Sequence, residues 1–199
     1  MSGLDPHLGN SDPFQAYHRR GHDLYGQHKY AEAEKAYREA FKGRRETFGA
    51  SHPKTLSSLC WLGDTLSKRQ KYDKAEQAYR EALKVQRETL GRTHQETLMS
   101  LHCLGTVLYR QGQNHEAERA FRHAYEGRRD TLGANHEKTL KSLGYLGDAH
   151  FQQRNDYKAE KAYRRVFEGR RDTLGEDHPK TQQCLRKLRD RYPTTFRQR

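Results

Sequence analysis

Aromatic and cationic side chains recur together at five places along the chain, and their chemistry suits a binding surface. They combine imidazole, indole and phenol rings with ammonium and guanidinium groups and few carboxylates. Rings stack on aromatic side chains, and cations form charge-assisted hydrogen bonds to carboxylates. The pattern favours a protein segment with aromatic and acidic residues as the ligand. The candidate binding residues are His18, Arg19, His22, Trp61, Asp64, Lys68, His102, Tyr109, Arg110, Lys141, Tyr145, Asp148, Phe151, Arg186 and Lys187.

Metal and cofactor sites are not predicted. Four histidines recur at an even spacing that is too wide for one shared tetrahedral ion: His52, His94, His136 and His178. His18 and His22 lie one helical turn apart and could share a metal, but no third ligand is evident nearby. The three cysteines lack a C-x-x-C spacing, so they are interpreted as small half-buried thiols.

Catalytic motifs are also absent from the sequence. It contains no P-loop, zinc-protease, nucleophile-elbow or dinucleotide-binding glycine pattern. We therefore expect a protein that is not an enzyme.

The composition of the 199 residues restricts the fold class. Ile is absent and only 3 Val are present, which argues against a sheet-based core because strands favour β-branched residues. No apolar run reaches the length of a membrane span and the first residues lack a secretory signal. The odd count of 3 Cys does not suggest disulfides, so we expect a cytoplasmic or otherwise intracellular protein, with the nucleus also open. The net charge of +12 favours acidic partners.

An internal repeat determines the architecture. The segment AEKAYREA at 33–40 returns at one fixed spacing as AEQAYREA at 75–82, AERAFRHA at 117–124 and AEKAYRRV at 159–166. Each unit shows two amphipathic stretches, which predict helices near 52–70 and 72–90 and at the equivalent positions of later units. Glycines are predicted to end the second helices: Gly49, Gly91, Gly133 and Gly175. The predicted N-caps of the next helices are Ser51, Thr93, Asn135 and Asp177.

Small residues are predicted where two helices approach closely. A glycine recurs on the first helix and an alanine on the second, which allows a short interaxial distance. These residues are Gly21, Gly63, Gly105 and Gly147, with Ala33, Ala75, Ala117 and Ala159. A second glycine set, Gly43, Gly127 and Gly169, follows a large ring two residues earlier, which predicts a contact of limited volume.

A basic pair recurs near the end of each second helix. The pairs are Arg44-Arg45, Gln86-Arg87, Arg128-Arg129 and Arg170-Arg171, and an acidic residue follows each one. The favoured interpretation is a solvated face with local ion pairs of low energy. The alternative is a row of arginines that binds phosphates, as in helical repeats that read RNA.

The repeat resembles the tetratricopeptide repeat family. The residues that carry the resemblance are L-x-x-L-G on the first helix and Y/F-x-x-A-E-x-A-Y/F on the second. The long period and the linker G-x-x-H-P-x-T, at 49–55 and 175–181, are similar to the subgroup found in kinesin light chains. The resemblance implies an all-α, right-handed superhelical solenoid of antiparallel helix pairs. It also implies a concave groove lined by the first helices and a protein-binding scaffold without catalysis.

The expected organisation is one solenoid domain over residues 12–192. Its units cover about 12–50, 51–92, 93–134 and 135–176, and a capping helix covers 177–192. An N-terminal extension, 1–11, and a tail, 193–199, flank it. The leading function is a monomeric scaffold that binds an acidic or aromatic-acidic protein segment in the groove. Nucleic-acid binding through the basic surface and a regulatory array of a larger multidomain protein are the alternatives.

Overall fold

The computed structural model describes residues 12–193, and within them it contains nine α-helices and no strand. The predicted all-α class is confirmed. The predicted N-terminal extension and residues 194–199 of the predicted tail lie outside the described residues. The helices are α1 (Gln15–Gly26), α2 (Tyr30–Phe48), α3 (Pro53–Lys68), α4 (Tyr72–Thr89), α5 (Gln95–Arg110), α6 (Asn114–Leu132), α7 (Glu137–Gln152), α8 (Asp156–Leu174) and α9 (Pro179–Arg191).

The helices form two compact units, one up to Ala78 and one from Tyr79 onward. In the N-terminal unit, α1 packs on α2 and α2 on α3. In the C-terminal unit, each helix from α5 to α9 packs on the next one. Leucines from the first helices and alanines from the second helices fill both cores, as the amphipathic pattern predicts.

Repeated histidines cap the first helices. His52, His94, His136 and His178 are the N-cap residues of α3, α5, α7 and α9. Each ring Nδ1 accepts a hydrogen bond from the backbone N–H two residues later, at 3.1–3.3 Å. This satisfies one of the free amides at a helix start. The predicted N-caps, one residue earlier in each unit, were therefore wrong.

The predicted C-terminal stops are confirmed. Gly49, Gly133 and Gly175 directly follow α2, α6 and α8 with φ near +90°, and Gly91 has the same conformation after α4. Residues other than glycine rarely adopt this left-handed region, because their Cβ clashes with the backbone. The glycines therefore release the chain into the next histidine cap.

The predicted close approach of paired helices is confirmed where it is described. A Cβ built on Gly21, Gly105 or Gly147 would lie 2.7–2.8 Å from the ring of Tyr37, Phe121 or Tyr163. The second glycine set also lies at close contacts, but with different partners from the predicted ones. Its members face a residue from the start of the first helix rather than the nearby ring on their own helix. These contacts are Gly43 with Phe14, Gly127 with Leu98, and Gly169 with Leu140.

Two glycines on α7 provide a matched test of this packing. A Cβ at Gly147 would press on the Tyr163 ring, whereas one at Gly144 meets only Val166, at 4.0 Å. We expect Gly147→Ala to lower the free energy of unfolding by about 1–3 kcal/mol through overpacking. Gly144→Ala should raise it by up to about 1 kcal/mol, because alanine is the better helix former. Urea denaturation measures both, and equal effects of the two substitutions would contradict the close approach.

Candidate functional site

A buried arginine on the second helix joins each described unit to the helix that follows. In the N-terminal unit, Arg44 Nη1 donates to the Lys54 carbonyl at 3.1 Å and to Ser58 Oγ at 2.7 Å. In the C-terminal unit, Arg128 Nη1 makes the same two bonds, to Lys138 and Ser142, at the same two distances. A guanidinium is suited to this task because its donors are fixed in one plane.

Each of these serines also contacts a buried histidine. Ser58 Oγ lies 3.2 Å from His18 Nδ1, and Ser142 Oγ lies 3.3 Å from His102 Nδ1. Burial and the nearby arginine lower the pKa of His18 to about 4 and that of His102 to about 3. Both imidazoles are therefore neutral at physiological pH. A serine beside a histidine can serve as a nucleophile, but both serines are fully buried and bonded to arginine, so a substrate does not reach them.

The recurring basic pairs divide into two kinds of arginine. Arg44 and Arg128 are only 1% and 4% exposed. The interpretation of a uniformly solvated face is wrong for these first members. Three of the four second members are exposed and lie over a ring of their own helix at 5.7–5.9 Å: Arg45 on Phe41, Arg129 on Tyr125, and Arg171 on Phe167. Arg129 and Arg171 also pair with the next aspartate, which reduces their charge for a phosphate ligand.

The predicted residues of the N-terminal unit gather around an aromatic cluster. His22 contacts the Trp61 ring edge-on at 4.2 Å, and Trp61 stacks on Tyr37 at 5.9 Å. His18 and His22 share an Nε2–Nε2 contact of 3.1 Å, the distance of a hydrogen bond. Trp61 is half-buried and His18 is buried, so only part of the cluster faces solvent. Arg19 and Lys68 are exposed, and Asp64 is half-buried.

A similar aromatic contact occurs between α5 and α7. The His102 ring meets Tyr145 edge-on at 5.0 Å, and Tyr145 lies 5.3 Å from Phe121. His102 is buried, whereas Tyr145 is half-buried and has part of its ring at the surface. Tyr109 accepts a hydrogen bond from the Gln152 amide at 3.0 Å, and Arg110 is exposed.

A cleft of about 720 Å³ lies between α7, α8 and α9 in the C-terminal unit. Leu140, Gly144 and Val166 form an apolar part of its lining. Five cations and two carboxylates also line it, which leaves an excess of three positive charges. These residues are Lys141, Arg170, Arg186, Lys187, Arg191, Asp148 and Asp190. Five predicted binding residues thus come together here: Lys141, Tyr145, Asp148, Arg186 and Lys187.

Asp148 organises one wall of this cleft. Its Oδ1 accepts hydrogen bonds from the Tyr163 hydroxyl at 2.7 Å, from Arg191 at 3.2 Å, and from Lys187. The Arg191 guanidinium lies 3.9 Å above the Phe151 ring, a cation–π contact. These contacts tie α9 to α7 and α8. They also make Asp148 and Phe151 internal partners of cations rather than free surface groups.

The remaining predicted cations of the cleft are available to a ligand. Lys141 and Arg186 are exposed and have no hydrogen bond or ion pair within residues 12–193. No carboxylate of the described chain pairs with either side chain beside the apolar lining. An anionic segment laid along the cleft would meet both of them.

No group of three metal-binding side chains occurs within residues 12–193. None of the helices in that range combines the length and apolar character that a bilayer crossing requires.

Sequence reasoning missed Arg44 and Arg128 as buried connectors. A signal was present, because the residue that receives the arginine recurs in step with it. Ser58 follows Arg44 at the same spacing as Ser142 follows Arg128. At that spacing after Arg170 comes Cys184, whose Sγ accepts a hydrogen bond from Arg170 at 3.1 Å.

Comparisons with known proteins agree with this architecture. The profile of the tetratricopeptide repeat family matches residues 12–88, 58–130 and 96–171. A Podosopora anserina protein described as a putative kinesin light chain with nearly identical TPR-like repeats has a similar solved structure. It shows a TM-score of 0.82 at 19% identity over 96% of this chain and 90% of that one. A single-residue variant of it gives 0.83 at 20% identity, over 94% and 88%.

Two further solved structures share the fold. BtubC (BKLC) from P. vanneervenii has a TM-score of 0.76 at 20% identity, over 90% of this chain and 69% of that one. The apo form of RapI has a TM-score of 0.72 at 14% identity, over 92% and 69%. Comparison with curated protein sequences finds no match. The identities are low, so these structures establish the solenoid fold of helix pairs alone. The family profile covers most of the sequence, and the chain therefore belongs to the tetratricopeptide repeat family.

Proposed function

We propose that the chain is a non-enzymatic interaction scaffold that binds an acidic or aromatic-acidic protein segment along its first helices. The cleft between α7, α8 and α9 carries this proposal, since cations exceed carboxylates among its lining residues by three. Tetratricopeptide repeats generally mediate contacts between proteins, and the positive charge of this cleft supports an acidic partner. Complementary charge raises the association rate and selects the partner.

The cleft provides both polar and apolar contacts for such a segment. Carboxylates of the ligand pair with Lys141 and Arg186, which have no internal counterion in the described chain. A ring or other apolar side chain lies against Tyr145 and the apolar lining at Gly144, where a missing side chain leaves space. Interfaces gain most of their energy from a few such buried aromatic and arginine contacts.

The N-terminal unit offers a second contact of the same kind. Trp61 is half-buried in the aromatic cluster, and the cations Arg19 and Lys68 belong to the same unit. We propose that Trp61 stacks on a ring of the ligand, so that its fluorescence reports binding. None of the three cysteines forms a disulfide within residues 12–193, which fits a reducing compartment, and we propose a cytoplasmic monomer.

A charge reversal in the cleft tests the proposed function. The probe is a short fluorescein-labelled, C-terminally amidated peptide with one phenylalanine between aspartates and glutamates. We expect the double substitution Lys141→Glu/Arg186→Glu to weaken binding by roughly tenfold or more. It replaces two cations that lack counterions with carboxylates that repel the acidic peptide. Fluorescence polarisation gives the affinity, and a salt series should show a steeper dependence for the wild type than for the variant.

The matched control changes the same charges on another surface. Lys158 and Lys161 of α8 line a smaller cavity with Tyr125 and His150, away from the cleft. Lys158→Glu/Lys161→Glu should keep the peptide affinity within about twofold. Equal losses in both double variants, or equal binding of a peptide with asparagine and glutamine in place of the acids, would contradict the proposal. Tight RNA binding at near-physiological salt would favour the nucleic-acid alternative instead.

A further inference from the structure

The guanidinium of Arg128 is buried, yet three of its five N–H donors lack a partner. Its Nη1 bonds to Lys138 and Ser142, but its Nε and Nη2 have no hydrogen bond within residues 12–193. Arg128 is 4% exposed, and no ion pair joins it to a carboxylate of the described chain. A buried charge without a counterion is costly, because its desolvation is not compensated. The same burial lowers the pKa of Arg128.

The N-terminal unit shows the same constellation with the anion in place. Arg44 uses Nε and Nη2 to bind Asp12 Oδ2, at 3.0 and 2.6 Å. Nη2 also donates to the Gln15 amide oxygen at 2.8 Å. The other half of Arg44 makes the serine and carbonyl bonds that Arg128 makes, at the same distances. The Asp12–Arg44 pair therefore shows, within the same protein, how a carboxylate binds an arginine at this position.

Arg170, which holds the position of Arg128 in the next repeat, also has an internal counterion. Its Nη2 donates to Glu137 at 3.2 Å, and Lys180 binds the same carboxylate at 2.9 Å. In the repeat of Arg128, the position of Glu137 is held by Gln95 at the start of α5, a neutral and exposed amide.

The second position that could satisfy Arg128 is also uncharged. Gln15, which accepts from Arg44, is replaced two repeats later by Met99, and this residue has no oxygen to offer. The third position, that of Asp12, is held by Glu96, which is exposed and makes no ion pair with Arg128 within residues 12–193.

The open donors of Arg128 remain within reach of a ligand. The Nε of Arg170 is enclosed and unpaired, whereas no atom of Arg128 is both enclosed and unpaired. The Lys138 carbonyl accepts a hydrogen bond from Arg128, and the Lys138 ammonium group makes no ion pair within residues 12–193. The neighbouring His102 is neutral. Arg128 and Lys141 both lie close enough to His102 to lower its pKa. A carboxylate at the open donors would therefore displace no existing ion pair of Arg128 within residues 12–193.

We propose that Nε and Nη2 of Arg128 form a carboxylate-binding site, and that a side-chain carboxylate of the acidic partner segment occupies it as Asp12 occupies Arg44. The site rests on the proposed function for the identity of its ligand. It adds a buried, bidentate contact to the exposed cations of the cleft, and such contacts fix the register of a bound segment. Binding would supply the counterion that α5 lacks at Gln95.

The first experiment measures the site without any peptide. In the full chain labelled with ¹⁵N, the Nε–Hε resonances of Arg128 and Arg44 are followed while sodium acetate replaces sodium chloride at constant ionic strength. The Arg128 signal should shift saturably. The Arg44 signal should stay in place, because Asp12 already fills that site. An unmoved Arg128 signal, or equal shifts of both arginines, overturns the proposal.

The second experiment supplies the counterion internally. Gln95→Glu changes one amide to a carboxylate of the same size at the position that Glu137 holds in the next unit. It should raise the melting temperature, remove the acetate response of Arg128, and weaken the amidated acidic peptide about fivefold or more. Gln77→Glu, the same change on the exposed side of α4, should leave the affinity within about twofold.

The outcomes separate the two proposals. Loss of peptide affinity in Lys141→Glu/Arg186→Glu but not in Gln95→Glu overturns the Arg128 site and leaves the proposed function standing. An acetate response of Arg128 in a wild type that does not bind the peptide contradicts the proposed function and keeps the carboxylate site.

Discussion

Replacing Arg44 with methionine should lower the free energy of unfolding by about 3–5 kcal/mol, among the largest effects of any single substitution in this chain. Methionine keeps the apolar stem but removes the guanidinium from Asp12, whose side chain is only 3% exposed. Lys54 Nζ, 3.8 Å away, is too distant to replace two direct hydrogen bonds. The serine and the carbonyl of the next helix also lose their donor. Urea denaturation followed by circular dichroism measures the loss.

Arg45 is the matched control for this prediction. It is the next residue along α2, exposed, and stacked on Phe41 at 5.7 Å. Arg45→Met should cost less than about 1 kcal/mol, because an exposed cation–π contact is weak. The double variant Arg44→Met/Asp12→Asn should recover part of the loss, since it removes the unpaired buried charge. Similar losses at Arg44 and Arg45 would show that the buried ion pair is not a main connector.

Acid should destabilise the protein well before its carboxylates titrate. The folded-state pKa of His18 is about 4 and that of His102 about 3, both below the ordinary value of 6.5. The folded state therefore binds fewer protons than the unfolded chain, and the stabilisation present above about pH 6.5 is lost as the pH falls toward the folded values. Between about pH 7 and pH 5, each histidine should remove about 2 kcal/mol from the free energy of unfolding.

The substitution His102→Asn isolates one of these contributions. An amide oxygen can still accept from Ser142, but the side chain no longer takes up a proton. Urea denaturation at both pH values should show a fall in stability that is smaller by about 2 kcal/mol in the variant than in the wild type. Arg128 and Lys141 remain beside the position in both proteins, so their repulsion does not change the comparison. A fall of the same size in both would mean that His102 takes up its proton without cost to the fold.

The helices and their order were predictable because the repeat is so regular. Helices predicted at 52–70 and 72–90 are observed at Pro53–Lys68 and Tyr72–Thr89. Periodicity of apolar residues determines such elements locally, and four near-identical copies reinforce the signal. Glycine stops were predictable for a similar reason, since a left-handed turn has few alternatives to glycine.

The N-caps were missed although the sequence contained the answer. Pro53 and Pro179 occupy the first helical position, so the preceding His52 and His178 must be the caps. Serine, threonine, asparagine and aspartate are more frequent caps, and that general preference outweighed the position of the prolines. An imidazole nitrogen accepts the same amide hydrogen bond as a hydroxyl or carboxylate oxygen.

The candidate site could be predicted only in part. Cleft residues such as Lys141, Tyr145 and Arg186 follow from their helical phase. Burial of Arg44 and Arg128 depends on the helix of the following unit, which a reading of one helix at a time does not include. The counterion of Arg170 is Glu137, and the same position in the repeat of Arg128 is glutamine 95, a difference that appears only when repeats are compared position by position. Such differences within a repeat carry function because the shared fold leaves them free to vary.

The arginine–serine–histidine chains recur in every second repeat rather than in each one. His102 contacts the Tyr145 ring on the next first helix, and His22, one turn after His18, contacts the Trp61 ring. No histidine occupies the positions equivalent to His18 and His102 in the other two units, Cys60 and Gly144. Two successive repeats, not one, are therefore the modular block of this array. An engineered chain lengthened by such a pair would preserve every histidine–aromatic junction. A chain lengthened by a single repeat would place a histidine opposite a position that has no ring, and the added copy would need redesign before it could be joined.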